Sequence, residues 1–273
     1  EDEYVPVPWS KAIDLAANEI QRVQKANGNG AIFGGSYGWA SAGRFHHAQS
    51  QVHRFLNCIG GYVSSFASYS TGAAQAIIPH VLGMTFHKIT WGETNSWPLI
   101  ERHTDNLVIF GGINPKNAQV SMGGTTEHGT EGWFKRFAKG EKYMVSVSPQ
   151  RDDSPPETTW LPIEPGTDTA LMLALAYVLE TEGHCDRAFL ESHCTGYEVF
   201  LPYLLGHTDG TPKTPDWAAS ICDISADNIT SLARRMASGR TLICVSWSLQ
   251  RAHPVSYTHL RAHETKANRG CRL

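Results

Sequence analysis

Short apolar runs that stop at glycine, proline or serine, separated by stretches with helical spacing, constrain this chain more than any other feature. Residues 107–110 (LVIF), 143–147 (YMVSV) and 242–245 (LICV) each read as a buried strand that ends where Gly, Pro or Ser takes over. Between them lie helical patterns. One covers residues 169–179, with Thr167 or Asp168 available as its cap. Another covers residues 226–237, capped by Ser225 and closed by Gly239. Earlier in the chain Ser10 precedes apolar positions Ile13, Ala16, Ala17, Ile20 and Val23, a helix that Gly28 and Gly30 end. The run 31–33 reads as a further buried strand entering Gly34-Gly35, and residues 46–59 return to helical spacing before Gly60-Gly61. Apolar strands alternating with amphipathic helices predict an α/β fold, a Rossmann-like parallel sheet with helices on both faces. Such sheets bind ligands at the carboxyl ends of their strands.

Composition narrows the function classes. The 273 residues are 41% hydrophobic and 18% charged, with no apolar run of about 18 residues, which makes a membrane span and a disordered chain poor readings. The formal charge of −3 and the lack of a Lys/Arg stripe point away from nucleic acid and towards a small ligand. Six cysteines without a C-x-x-C pair do not form a disulfide framework. Residues 152–157 (DDSPPE) read as a surface loop. From residue 254 the apolar periodicity stops, and Arg261, Lys266, Arg269 and Arg272 meet one acid, Glu264. The string VSYTHLRAHET (255–265) resembles the translation of a sequencing-library adapter, so residues 254–273 are read as a non-native tail outside the fold.

The residues that follow the strands carry the chemistry. Gly34-Gly35-Ser36-Tyr37-Gly38-Trp39 combines flexible backbone with a phenol and an indole, two donors able to serve one oxygen atom. Those residues alone also fit a glycine turn with two core aromatics. Ser70, in Tyr69-Ser70-Thr71-Gly72, is by itself most simply an N-cap for the helical pattern around Ile77 and Ile78. Later strands lead into Gly111-Gly112-Ile113-Asn114-Pro115-Lys116-Asn117, into Ser148-Pro149, and into Ser246-Trp247-Ser248-Leu249-Gln250-Arg251. No H-E-x-x-H pattern supports a histidine metal site, although His46, His47 and His53 are suitably spaced. No G-x-G-x-x-G follows a strand, so a conventional dinucleotide site is a weak reading.

Five segments in order, GGSYGWASAGRFHHAQSQVHRFLN (34–57), YSTGAAQAIIPHVLG (69–83), PGTDTALMLALAY (165–177), TGYEVFLPYLLGHTDGTPKTPDWAASIC (195–222) and SWSLQR (246–251), resemble one family. It is that of the dimethyl sulfoxide, trimethylamine N-oxide and biotin sulfoxide reductases, which carry a bis(molybdopterin guanine dinucleotide) molybdenum centre. The resemblance spans residues 4–253 and about a third of such an enzyme. It implies that Ser70 is the side-chain ligand of molybdenum and that Tyr37 and Trp39 face the substrate oxygen. Trp247 and Arg251 would line the substrate funnel. Gly38, Trp39, Asn114, Ser148, Asp168 and Gln250 would contact the cofactor, with Asp168 accepting from a guanine amino group. A tyrosine at position 37 goes with S-oxide reduction in this family. Two stretches depart from its pattern: FHKITWGETNSW (86–97) is longer, and VSPQRDDSPPETTW (147–160) replaces a P-x-R-T-E-T-A-like loop.

The resemblance thus predicts molybdenum-dependent reduction of an S-oxide to the sulfide, with trimethylamine N-oxide reduction as the alternative. A non-redox nucleotide-binding α/β protein, or an inactive fragment, is the alternative of another class. Residues 1–65 are expected to belong to a first cofactor-embracing domain and 66–253 to a Rossmann-like domain. A c-type cytochrome or a reduced thioredoxin-like or flavin system would donate electrons. Periplasmic placement is expected ahead of cytoplasmic.

Overall fold

The computed structural model describes residues 4–35, 47–64, 71–90, 95–119, 128–246 and 249. The chain divides into two compact units at about residue 68.

The first unit contains α1 (Trp9–Asn27) and α2 (Ala48–Cys58). The residue that opens α1 is Pro8, not Ser10. Its extended backbone precedes the first turn, and its carbonyl accepts from Ala12 N at 3.1 Å. Proline suits a helix start because its fixed φ and missing N–H cost nothing there. The ends of the two helices are tied by amides: Gln24 Nε2 donates to Ile59 O (2.7 Å) and Asn29 Nδ2 to Gly61 O (2.7 Å). The expected strand at 31–33 is reduced to a single parallel bridge, Phe33 to Val63, with Phe33 exposed. The run is too short, and too little packs on it, for a sheet to grow.

The second unit begins with α3 (Gly72–Leu82), α4 (Phe86–Thr90) and α5 (Trp97–His103). The N-cap of α3 is Thr71, so position 70 precedes the cap that sequence reasoning assigned to it. There follow β1 (Asn106–Phe110), α6 (Thr130–Lys139), β2 (Tyr143–Val147) and β3 (Thr159–Leu161). Five helices lead to the last strand: α7 (Asp168–Thr181), α8 (Arg187–His193), α9 (Tyr197–Leu204), α10 (Pro215–Cys222) and α11 (Ala226–Ala237), then β4 (Thr241–Val245).

The four strands form one parallel sheet in the order β3-β2-β1-β4. β1 is central and buried along its whole length, with Val108 opposite both Val145 and Ile243. Successive side chains point to opposite faces, so one run of apolar residues serves two cores. On one face Val108, Phe110, Val145 and Val147 pack against Leu171, Ala174 and Leu175 of α7 and Ile229 and Leu232 of α11. On the other, Leu107, Ile109 and Met144 meet Ile100 of α5 and Phe134 and Phe137 of α6. α7 is apolar on most of its surface because α10 and α11 cover what the sheet does not. α11 has the cap read from the sequence: Ser225 Oγ accepts from Asn228 N at 3.3 Å. Among the described residues no helix is long and apolar enough to cross a membrane.

Candidate functional site

Parallel pairing brings the carboxyl ends of all four strands to one edge, and their loops follow there. The chain leaves β1 towards β2 and β3, then returns through α7–α11 to place β4 on the opposite side of β1. That reversal makes the ends of β1 and β4 a topological switch point, the place where sheets of this kind hold ligands. The edge is knitted by bonds that continue the ladder: Gly111 N to Val147 O (2.8 Å), Ser148 N to Leu161 O (3.2 Å) and Ser246 N to Phe110 O (2.9 Å). Ser246 Oγ also donates to Gly111 O at 3.1 Å.

The loop after β1 turns on Gly111 and Gly112, both at positive φ (82° and 78°). Gly112 lies against the loop that follows β2, where a Cβ would come 2.4 Å from Asp153 O. Asn114 then shapes the turn. Its Oδ1 accepts from Lys116 N (2.9 Å), and its Nδ2 donates to Asp153 Oδ1 (3.0 Å).

After β2, Ser148 is buried. Its Oγ accepts from Gln150 N (3.3 Å), and its carbonyl accepts from Trp160 Nε1 (2.8 Å). A single helical turn, Arg151–Asp153, leads to Ser154, whose hydroxyl donates to Ser146 Oγ inside β2 at 2.7 Å. The stretch read as a surface loop, 152–157, therefore has a buried centre: Ser154 and Pro155 are covered, while Asp152 and Pro156 are exposed. The reason is β3, which the sequence did not reveal. To enter it alongside β2 the chain must fold back over the sheet edge.

Asp168 is the first residue of α7, after the segment that leaves β3. Thr167 holds the N-cap position, and its hydroxyl donates back to Glu164 O (2.7 Å) instead of capping the helix. Desolvation by burial raises the Asp168 carboxyl above the ordinary aspartate range, partly offset by a bond to its own backbone amide. A half-buried carboxylate of this kind gains from any ligand that brings N–H donors.

Of the ten residues singled out from the sequence, Asn114, Ser148 and Asp168 all lie in segments at the carboxyl edge. Tyr37, Gly38, Trp39, Ser70, Trp247, Gln250 and Arg251 lie outside the described residues. Sequence reasoning missed Gly112 and Asp153. Gly-Gly after an apolar strand was the available signal for the first. The second is recognisable only once the loops are in place.

A family model described as molybdopterin oxidoreductase matches residues 1–264. The chain is 42% identical over 254 residues to a biotin sulfoxide reductase of Cereibacter sphaeroides, covering 92% of this chain and 34% of that protein. It is 38% identical to a trimethylamine-N-oxide reductase of Haemophilus influenzae and 38% identical to a dimethyl sulfoxide/trimethylamine N-oxide reductase of Cereibacter sphaeroides. Each of these alignments covers 94% of this chain and 31% of the relative. The chain thus spans about a third of the length of these relatives. Among solved structures, acetylene hydratase from Pelobacter acetylenicus superposes with a TM-score of 0.55 at 21% identity, over 96% of this chain and 32% of that one. That likeness speaks for the fold alone.

Proposed function

The chain belongs to the molybdopterin oxidoreductase family, and on that premise we propose that it is a segment of an enzyme that reduces an S-oxide to the corresponding sulfide. Family membership implies a molybdenum–molybdopterin cofactor. The proposal extends this to two molybdopterin guanine dinucleotides, one of them held at the carboxyl edge of the sheet. The described residues fit such a group. A half-buried carboxylate at the start of α7 suits the donor edge of guanine, and the loops after β1 and β2 present Gly111, Gly112, Asn114 and Ser148. The family match over residues 1–264, with relatives named as biotin sulfoxide and dimethyl sulfoxide reductases, is the observation that carries the reading.

When bound, the metal centre supplies the two-electron, oxygen-accepting chemistry. In this proposal Ser70 offers its side-chain oxygen to the metal. Asp168 accepts from the guanine amino and ring N–H groups, and the loops at Asn114 and Ser148 border the nucleotide. The Tyr37 hydroxyl and the Trp39 indole N–H donate to the substrate oxygen, where negative charge builds as the S=O bond weakens. Donors fixed in advance at that point lower the barrier without reorganising. Trp247 and Arg251 line the approach, while Gly38 and Gln250 lie against the cofactor. Two electrons and two protons complete the conversion of S-oxide to sulfide and water. A c-type cytochrome or a reduced thioredoxin-like or flavin system is the proposed electron source, and the periplasm the proposed location.

The substrate class is supported by relatives named as biotin sulfoxide and dimethyl sulfoxide reductases. A relative named as a trimethylamine-N-oxide reductase supports the second reading, N-oxide reduction. The test is steady-state turnover of the full-length protein with a reduced viologen and each oxide as sole acceptor. A higher kcat/KM for S-oxides is expected; preference for trimethylamine N-oxide would overturn the S-oxide reading. Molybdenum-free protein that binds an ordinary nucleotide would overturn the enzyme reading altogether.

A further inference from the structure

The loops after β1 and β2 are separate in sequence but meet at one residue. Asp153 receives the Asn114 amide 39 positions away at 3.0 Å, in a partly buried setting. Its backbone carbonyl packs where a side chain on Gly112 would stand. Its neighbour Ser154 is rooted by its hydroxyl in the centre of β2. The orientation of Asn114 follows from this contact. Were the amide turned over, its oxygen would face a carboxylate and its nitrogen the Lys116 N–H, so both bonds would become repulsive.

We infer that Asp153 is a positioning residue for the nucleotide cradle: acting through Asn114, it fixes the shape of the 111–117 loop at the carboxyl edge. Asn114 spends one amide hydrogen on Asp153 and one lone pair on Lys116 N, and the direction of both is set by the acidic partner. The inference rests on the proposed dinucleotide site at this edge and adds to it a residue that touches neither cofactor nor substrate.

The test uses full-length protein and reads molybdenum by mass spectrometry and guanine nucleotide released by acid hydrolysis, during timed dialysis. Asn114→Asp sets two carboxylates against each other and removes the donor, while Asp153→Ala removes the acceptor. Each is expected to lose cofactor about ten- to a hundredfold faster than wild type, the range for loss of a partner that orients a ligating group. Asp153→Asn keeps an acceptor and is expected to retain cofactor. Asn114→Asp combined with Asp153→Asn rebuilds the pair with donor and acceptor exchanged and is expected to recover most of the loss, which a general folding defect would not. Wild-type loss rates in the single variants, or a double variant no better than Asn114→Asp, would overturn the inference while leaving the dinucleotide site standing. Wild-type protein without molybdenum would overturn both.

Discussion

Replacing Gly112 by alanine tests whether the sheet edge is as tightly closed as the structure shows. Two costs add. At φ +78° a side chain meets its own backbone, which is worth about 1 kcal/mol for a single residue. The new Cβ would also stand 2.4 Å from Asp153 O, about 1 Å inside ordinary van der Waals contact, and that oxygen belongs to backbone held by the Ser146–Ser154 hydroxyl pair. Forcing such a contact apart costs about 1–3 kcal/mol. Together the loss is about 2–4 kcal/mol, or roughly 4–16 °C in thermal midpoint for a domain of this size. Gly210→Ala is the control, because Gly210 has nearly the same φ (+75°) with nothing within 4 Å of its Cβ position, leaving only the strain of about 1 kcal/mol. Urea unfolding followed by circular dichroism measures both. Equal losses in the two variants would refute the close approach of the loops.

Removing the hydroxyl from Ser146 deprives the buried Ser154 hydroxyl of its acceptor and is expected to cost about 1–3 kcal/mol. Ser146→Ala with Ser154→Ala should cost less than the two singles summed, and additive losses in urea titrations would contradict the pairing. Asp168→Asn should stabilise cofactor-free protein at neutral pH. The folded-state carboxyl titrates above its unfolded value, so its ionisation weakens the fold as pH rises through that raised pKa. The advantage should therefore shrink as pH falls towards the ordinary aspartate range, and a wild type more stable at pH 7 would contradict it. Lys213 is buried, with its ammonium 4.4 Å from the Tyr203 ring centroid and 2.6 Å from Asp209 Oδ2. Lys213→Ala should cost about 2–5 kcal/mol through the void it leaves. Lys213→Met, which keeps the stem, should cost less; equal thermal midpoints would count against a packing role.

The parts of the fold written in continuous apolar runs were legible. Strands expected at 107–110, 143–147 and 242–245 are observed one residue longer or unchanged; the first two are buried as expected, whereas β4, read as buried, is the sheet's edge strand and leaves Ile243 and Val245 exposed. α7 and α11 were legible from their spacing. β3 was not: its three residues, TWL, follow two prolines and pair only with β2. Missing it made 152–157 look like free surface. The same limit applies at the site. Asn114 and Ser148 could be placed after strand ends, and Asp168 at a helix start, from order along the chain; their cofactor roles come from the family resemblance. The bond from Asn114 to Asp153 exists only because two strands lie side by side. The assignments of Tyr37, Trp39, Ser70, Trp247, Gln250 and Arg251 come from the family resemblance.

Molybdenum and guanine nucleotide content of the full-length protein, measured on the same purified sample, tests the central claim most directly. Close to one metal and two guanine nucleotides per chain are expected, with the metal lost in Ser70→Ala. Full-length protein free of molybdenum, or a Ser70→Ala variant that keeps its metal in an unchanged X-ray absorption spectrum, would contradict it.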